Sequence, residues 1–261
     1  MLIKPFGKFF AGACAMLLTA VAQAAPVSGQ GTWETTLHAR DLDGNVANGA
    51  EAWYDSTLNI TWLADADALR TGGAHAGTLL DWQSAVDWAS SLNVFGVTGW
   101  RLSSMVDTGG NGCDDFSFSG GTGCGYNVDT TTSELAHMFY VTLGNLSTLE
   151  AGTGRPQSGG GLSNTGPFQN LAARIFWTGS RIHYGAGETA TDYDAWGIDF
   201  RQGYQFNFGA PYGEGAWAVL DGDVLNVLPP PVPEPGRAAL LLAGLGLIAA
   251  AARRRCVIAR T

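Results

Sequence analysis

The stretch Trp196-Gly197-Ile198-Asp199-Phe200-Arg201-Gln202-Gly203-Tyr204-Gln205-Phe206-Asn207-Phe208 decides the fold class. Large apolar side chains stand at 196, 198 and 200 and again at 204, 206 and 208, with small or polar residues between them. A period of two sends alternate side chains to opposite faces of an extended strand, and Gln202-Gly203 supplies a turn between the two runs. The pattern predicts a β-hairpin with one buried face. Residues 174–180 and 215–220 read as two further strands, and residues 52–63 as an earlier one.

Upstream of the hairpin the period changes to that of a helix. Leu79, Trp82, Val86, Ala89 and Leu92 recur at helical spacing after Thr78, which is placed as the N-cap. Leu135, Met138, Phe139 and Leu143 form the stripe of a second helix, which starts near Ser133 and stops at Gly144-Asn145. Asp81, Asp87 and Glu134 fall on the solvent side of these helices. The expectation is a single α+β domain over residues 25–228, with two helices and a twisted antiparallel sheet. Glycine, at 37 of 261 residues, suits short strands joined by many turns. A Gly/Ser/Asn/Pro-rich loop spans residues 152–166, and no repeat of fixed period is visible.

Both ends of the chain carry targeting features. Residues 1–24 read as a signal peptide: Lys4 and Lys8 precede an apolar run over 9–22, and Ala22-Gln23-Ala24 places cleavage between Ala24 and Ala25. That run is shorter than the ~20 residues a membrane span requires. At the other end, residues 229–236 are a Pro-rich linker containing Val232-Pro233-Glu234-Pro235, and such a run extends as a stiff spacer. Residues 237–261 hold an apolar helix, at 238–252, followed by Arg253-Arg254-Arg255. At 1.5 Å per residue that helix reaches about 22 Å against a hydrocarbon core of about 30 Å. It is therefore expected to be a transient membrane anchor with its arginines on the cytoplasmic side.

Charge excludes one class of partner. Residues 25–232 carry seven arginines against 22 acidic residues and no lysine, a net charge of −15. Such a field repels nucleic acid and anionic membrane surfaces and keeps the domain soluble. Of four cysteines, Cys14 lies in the signal peptide and Cys256 beyond the apolar helix. Cys113 and Cys124 remain, bracketing a Gly/Ser-rich loop. In an oxidising compartment they are expected to form a disulfide, because no further ligands stand at zinc-site spacing.

The chemistry-bearing residues are sparse. Asp41, Asp43 and Asn45 open like a calcium loop, with alternating oxygen ligands and Gly44 for the turn, but no bidentate Glu follows at the twelfth position. A solvated Asp/Asn/Gly turn explains the same residues. Asp65 with Asp67, and Asp192 with Asp194, are further oxygen pairs, and calcium is the one cofactor the sequence raises. His38, His75, His137 and His183 form no ligand pair, and no nucleophile elbow or phosphate loop is present. Trp82, Trp177, Trp196 and Trp217 fall on the buried period of their elements. Tyr184, Tyr193, Tyr204 and Tyr212 lie in or near the loops of the C-terminal half and are the candidate ligand-facing aromatics.

Two family resemblances add to this. Val232-Pro233-Glu234-Pro235, the short apolar helix and Arg253 to Arg255 resemble the PEP-CTERM sorting signal of Gram-negative bacteria. The resemblance implies export, processing by an exosortase, and delivery to the outer surface or the polysaccharide matrix. The upstream domain resembles the Lcl C-terminal-like domains, which have a C-type-lectin-like fold. The matching pieces are Trp53-Tyr54-Asp55-Ser56-Thr57-Leu58-Asn59-Ile60-Thr61-Trp62-Leu63, Trp82-Gln83-Ser84-Ala85, Gly99-Trp100-Arg101-Leu102 and Glu134-Leu135. Phe176-Trp177-Thr178-Gly179-Ser180 and Trp217-Ala218-Val219-Leu220-Asp221-Gly222-Asp223 complete them in the same order. Ser103 and Leu220 depart from that pattern, standing where the family has proline and arginine. Together these features predict an exported binding or adhesion protein acting on extracellular polysaccharide. The rivals are a carbohydrate-active enzyme of the matrix and a purely structural envelope protein.

Overall fold

The computed structural model describes residues 24–108, 112–182 and 194–226. Among the described residues nine strands form two antiparallel sheets. The first has the order β1 (Leu37–Arg40), β2 (Ala52–Asp55), β3 (Ile60–Leu63), β9 (Ala218–Asp221) and β4 (Arg101–Leu102). The second has the order β5 (Gly125–Tyr126), β8 (Tyr204–Gly209), β7 (Asp194–Asp199) and β6 (Ile175–Arg181). The two sheets meet where the Gly179 N–H donates to the Ser103 carbonyl at 2.7 Å. The α+β class stands, with two sheets in place of one. The early strand expected over 52–63 is a hairpin, because Asn59 adopts φ of +54° at the turn and reverses the chain.

Four α-helices occur among the described residues: α1 (Trp33–Thr36), α2 (Ala68–Thr71), α3 (Trp82–Ser91) and α4 (Glu134–His137). Helix α3 starts later than Thr78 predicts. Its N-cap is Asp81, whose carboxylate accepts from the Ser84 N–H at 3.0 Å and the Ser84 hydroxyl at 2.7 Å. Leu79 therefore precedes the helix and is exposed, and Asp81 is a cap rather than a solvated face. Trp82 fixes the helix to the second sheet by donating from Nε1 to the Thr178 carbonyl at 2.8 Å. Helix α4 is capped by Ser133 and continues as a single π-helical stretch, Met138–Thr142, that ends at Gly144 with φ of +65°.

The core lies between the sheets and these helices and is mostly aromatic. Trp62, Trp100, Trp177, Trp217, Phe139, Phe176 and Phe200 are all fully buried there, while the equally buried Trp196 packs in a smaller cluster with Met105, Cys124 and Ile182. Trp217 is its hub: its ring lies 4.7 Å from both Trp62 and Phe168, and its Nε1 donates to the Leu63 carbonyl at 2.9 Å.

Glu134, read from the sequence as solvated, is a structural ion. Arg101 donates to both its oxygens at 2.8 and 2.9 Å and also reaches Asp221, while Glu134 accepts from the Ser104 N–H at 2.6 Å. One guanidinium thus ties β4, β9 and the start of α4 together. Burial works against the Arg101 charge, but the bonds from Glu134 and Asp221 outweigh it and raise its pKa.

His137 is buried on α4, its Nδ1 3.2 Å from the Thr142 hydroxyl, which reaches Asp55 at 3.3 Å. Burial holds its pKa below the ordinary 6.5, with the Asp55 carboxylate opposing. The unfolded chain then takes up this proton at a pH where the folded chain does not. The resulting stability is present above about pH 6.5 and is lost as pH falls through the folded pKa. Thermal melts of the wild type and of His137→Asn between pH 7 and 5 check this. The wild-type midpoint should drop further than that of the variant, and equal drops would rule His137 out as the cause.

Candidate functional site

The register of the second sheet builds the candidate site. Asp199 pairs with Tyr204, Ile198 with Gln205, and Gly197 with Phe206. Cross-strand partners share a face, so Tyr204, Phe206 and Phe208 lie opposite Ile198 rather than beside it. This corrects the expectation of one buried face shared by both apolar runs. Ile198 and the wholly buried Gln205 face the core, with Gln205 donating to the Gly123 carbonyl at 2.8 Å. The aromatics of β8 form a half-buried row on the other face.

That row is continuous. Ring centroids are 5.1 Å apart for Tyr126 and Tyr204, 4.7 Å for Tyr204 and Phe206, and 4.6 Å for Phe206 and Phe208. Phe208 in turn stacks on Trp177 at 4.2 Å. Gly197 makes this possible, because a Cβ there would come within 2.7 Å of the Phe208 ring. Beyond Tyr126 the row passes to Phe116 and Phe118, whose rings lie 6.2 and 6.1 Å from it. Both are exposed, Phe116 at 39 % and Phe118 at 61 %.

Polar groups line the middle of the row, around Tyr126 and Tyr204. Tyr126, Tyr204, Asp199 and Ile175 are in register across four strands, and Glu214 flanks Ile175 on the chain that bridges to Phe176. Asp199 is fully buried beneath Arg201, whose Nε donates to both carboxylate oxygens at 2.8 and 3.0 Å. The Tyr126 hydroxyl donates to the Gln202 side chain at 3.3 Å. Burial raises the pKa of Tyr126 and Tyr204, and the Asp199 charge adds to it. Burial also raises that of Glu214, against the pull of Arg201. The face therefore combines apolar rings, phenol hydroxyls, an amide, a fixed guanidinium and carboxyl groups.

The sequence-predicted residues distribute unevenly over this geometry. Cys113 and Cys124 form a disulfide, with Cα atoms 5.5 Å apart. Tyr204 belongs to the aromatic row, and Tyr212, 67 % exposed, lies over Gly209 at the far end of β8. Tyr184, Tyr193, Asp192 and the residues of the C-terminal signal, Val232, Pro233, Glu234, Pro235, Arg253, Arg254 and Arg255, lie outside the described residues. So does the apolar helix. Among the described residues no helix is long and apolar enough to cross a membrane. Sequence reasoning misses Phe116 and Phe118 because they sit in a Gly/Ser-rich loop with no period, and Tyr126 because it stands on a two-residue strand too short to show one. The available signal was two phenylalanines in a short disulfide loop with too few neighbours to bury them.

The acidic loop between β1 and β2 has its own geometry. Carboxylate oxygens of Asp41, Asp43 and Glu51 lie within 4.8 Å of one another, with Glu51 in the place expected of Asn45. Asn45 instead turns its side-chain oxygen to the Ala47 N–H. The carboxylates are already engaged: Asp41 accepts from Gly44 and Asn45, Asp43 from Asn45 and Asn48, and Glu51 from Leu42. A loop held by these bonds keeps its shape without a cation. The melting midpoint is therefore expected to be the same in chelator and in millimolar calcium. A rise of several degrees would make the ion part of the native state. Asp65 and Asp67 do not converge on a common ligand. Asp65 caps the Asp67 N–H and accepts from the Thr71 hydroxyl, while Asp67 pairs with Arg70 and Arg174. Asp67 and Arg174 line a cavity of about 440 Å³, so its charged lining is neutralised internally.

Comparison with known proteins places the C-terminal segment. The PEP-CTERM protein-sorting motif matches residues 231–255, and no curated protein or solved structure matches the chain. The motif marks an exosortase-sorted protein of Gram-negative bacteria, exported to the cell surface or the extracellular space.

Proposed function

We propose that the chain is a surface- or matrix-associated binding protein whose domain, residues 25–228, has a C-type-lectin-like arrangement and contacts extracellular polysaccharide. The observation that carries the reading is the joining of a sorting motif to a folded domain with a half-exposed aromatic and hydrogen-bonding face. The ligand class follows from where the motif sends the protein and from the mixed apolar and polar character of that face. Its partners are the export machinery, which cleaves between Ala24 and Ala25, and an exosortase-type enzyme. The apolar segment at 238–252 serves only as a transient anchor during sorting. Glycan arrays probed with the folded protein, in calcium and in chelator, test the reading. Binding under at least one condition is expected, and silence under both would remove the polysaccharide role.

The enzyme alternative rests on Asp199 and Glu214, which stand two strands apart, about 10 Å between backbones. A glycosidase needs two carboxyl groups about 5–10 Å apart with access to substrate. Asp199 fails that requirement, since it is fully buried with both oxygens on Arg201. Binding without turnover is the better reading.

A further inference from the structure

The exposed end of the aromatic row is held by a disulfide and by backbone hydrogen bonds. The disulfide closes residues 113–124, and the loop folds back so that Ser117 forms a bridge with Gly125. The Ser117 N–H donates to the Cys124 carbonyl at 3.0 Å, and the Tyr126 N–H donates to the Ser117 carbonyl at 2.8 Å. The loop is further pinned by the Gly152 N–H, which donates to the Ser119 carbonyl at 2.7 Å. Phe116 and Phe118 are thereby set against Tyr126 and left partly exposed. A chain that spends a disulfide on keeping two phenylalanines in water has fixed a contact surface before any ligand arrives.

We propose that Phe116, Phe118, Tyr126 and Tyr204, with Gln202 and Arg201 at their rim, form a calcium-independent site for a neutral polysaccharide. The proposal rests on the polysaccharide reading above and adds the site and the charge of its ligand. A sugar ring has an apolar C–H face and a hydroxyl edge. The aromatic rings match the first; the Gln202 amide, the phenol hydroxyls and the anchored Arg201 guanidinium match the second. Asp199 and Glu214 lie in the same row of the sheet, within a segment of net charge −15. Asp199 is neutralised by Arg201, so it is the net charge of the whole segment that repels uronate-rich or sulfated chains. The same charge disfavours a second copy of this chain as the occupant. Calcium has no part, because the acidic loop joins β1 and β2 of the other sheet and contributes no residue here.

The test uses the full-length chain with its disulfide intact, arrayed against neutral β-glucans, mannans and galactans and against alginate and heparin, all in chelator. Binding to at least one neutral polymer is expected, weakened about tenfold or more in Phe118→Ala and in Tyr204→Ala. Leu225→Ala, an exposed apolar residue outside the site, should bind as wild type. Mild reduction of Cys113–Cys124 should also weaken binding, by releasing the loop. Melting midpoints of the variants separate a lost contact from a lost fold. Full binding by a folded Phe118→Ala, Tyr126→Ala double variant would move the site elsewhere and leave the polysaccharide reading standing. Binding confined to the anionic polymers, or only in added calcium, would overturn the ligand class. No binding to any polymer by the folded wild type would bring down the polysaccharide reading itself. Loss of self-association in Phe118→Ala, with no glycan bound, would assign the patch to a second copy instead.

Discussion

Trp217→Ala is expected to destabilise the fold by about 4 kcal/mol. The side chain is fully buried and touches Trp62 and Phe168 at 4.7 Å and Phe176 at 6.1 Å. Removing the indole empties a volume that these rings cannot close, since they belong to separate elements tied by their own backbone bonds. The Leu63 carbonyl also loses its donor at 2.9 Å, adding about 1 kcal/mol. Against a typical stability of about 5–15 kcal/mol this removes a large share. Equilibrium urea unfolding checks it: the midpoint should fall with little change in slope. Trp217→Phe should recover part of the loss by refilling the volume without the hydrogen bond. A loss below about 1 kcal/mol in the alanine variant would show that Trp217 is not the hub.

Arg101→Ala is the second large effect, at about 2–3 kcal/mol. Breaking a well-buried pair costs about 3–5 kcal/mol, because the remaining charge is left without its partner. Here the value is discounted, since the Arg101 side chain is about a third exposed. The cost should fall on one partner. Glu134 is 15 % exposed and would keep only the Ser104 N–H, whereas Asp221 is 80 % exposed and is rehydrated. Double-mutant cycles separate the two. Coupling of Arg101 with Glu134 should exceed about 1 kcal/mol, and that with Asp221 should stay near about 0.5 kcal/mol or less. The reverse order would mean that the surface pair, not the strand-to-helix tie, holds these elements.

Local features were readable from the residues, and features set by tertiary pairing were not. The alternation at 196–208 gave both strands of the hairpin, and the helical stripe gave α3. Composition alone places the helix start at Thr78, because a threonine before an apolar run is a good cap. Asp81 wins because its carboxylate reaches Ser84. Register was invisible: Asp199 pairs with Tyr204 across residues 200–203, and a shift of one residue moves every side chain to the other face. The aromatics of β8 thus lie on the face opposite Ile198, half-buried, with Phe208 and Phe206 still packed against buried side chains. Glu134 looked solvated because its partner Arg101 is 33 residues away in sequence. Glu51 joined the acidic loop from the start of the next strand, beyond the reach of a motif. The sorting signal was legible in full because its parts are consecutive in the chain, and the family match covers the same residues.

Processing at that signal is the claim on which the rest depends, since it decides whether the aromatic face ever meets a matrix. The direct measurement is the intact mass of the protein recovered from the surface or extracellular fraction, with peptides assigned at both ends. The expected product is a chain that begins at Ala25 and ends near Pro235, lacking Arg253, Arg254, Arg255 and Cys256. Recovery of the same protein with its tail through Thr261 intact would contradict it.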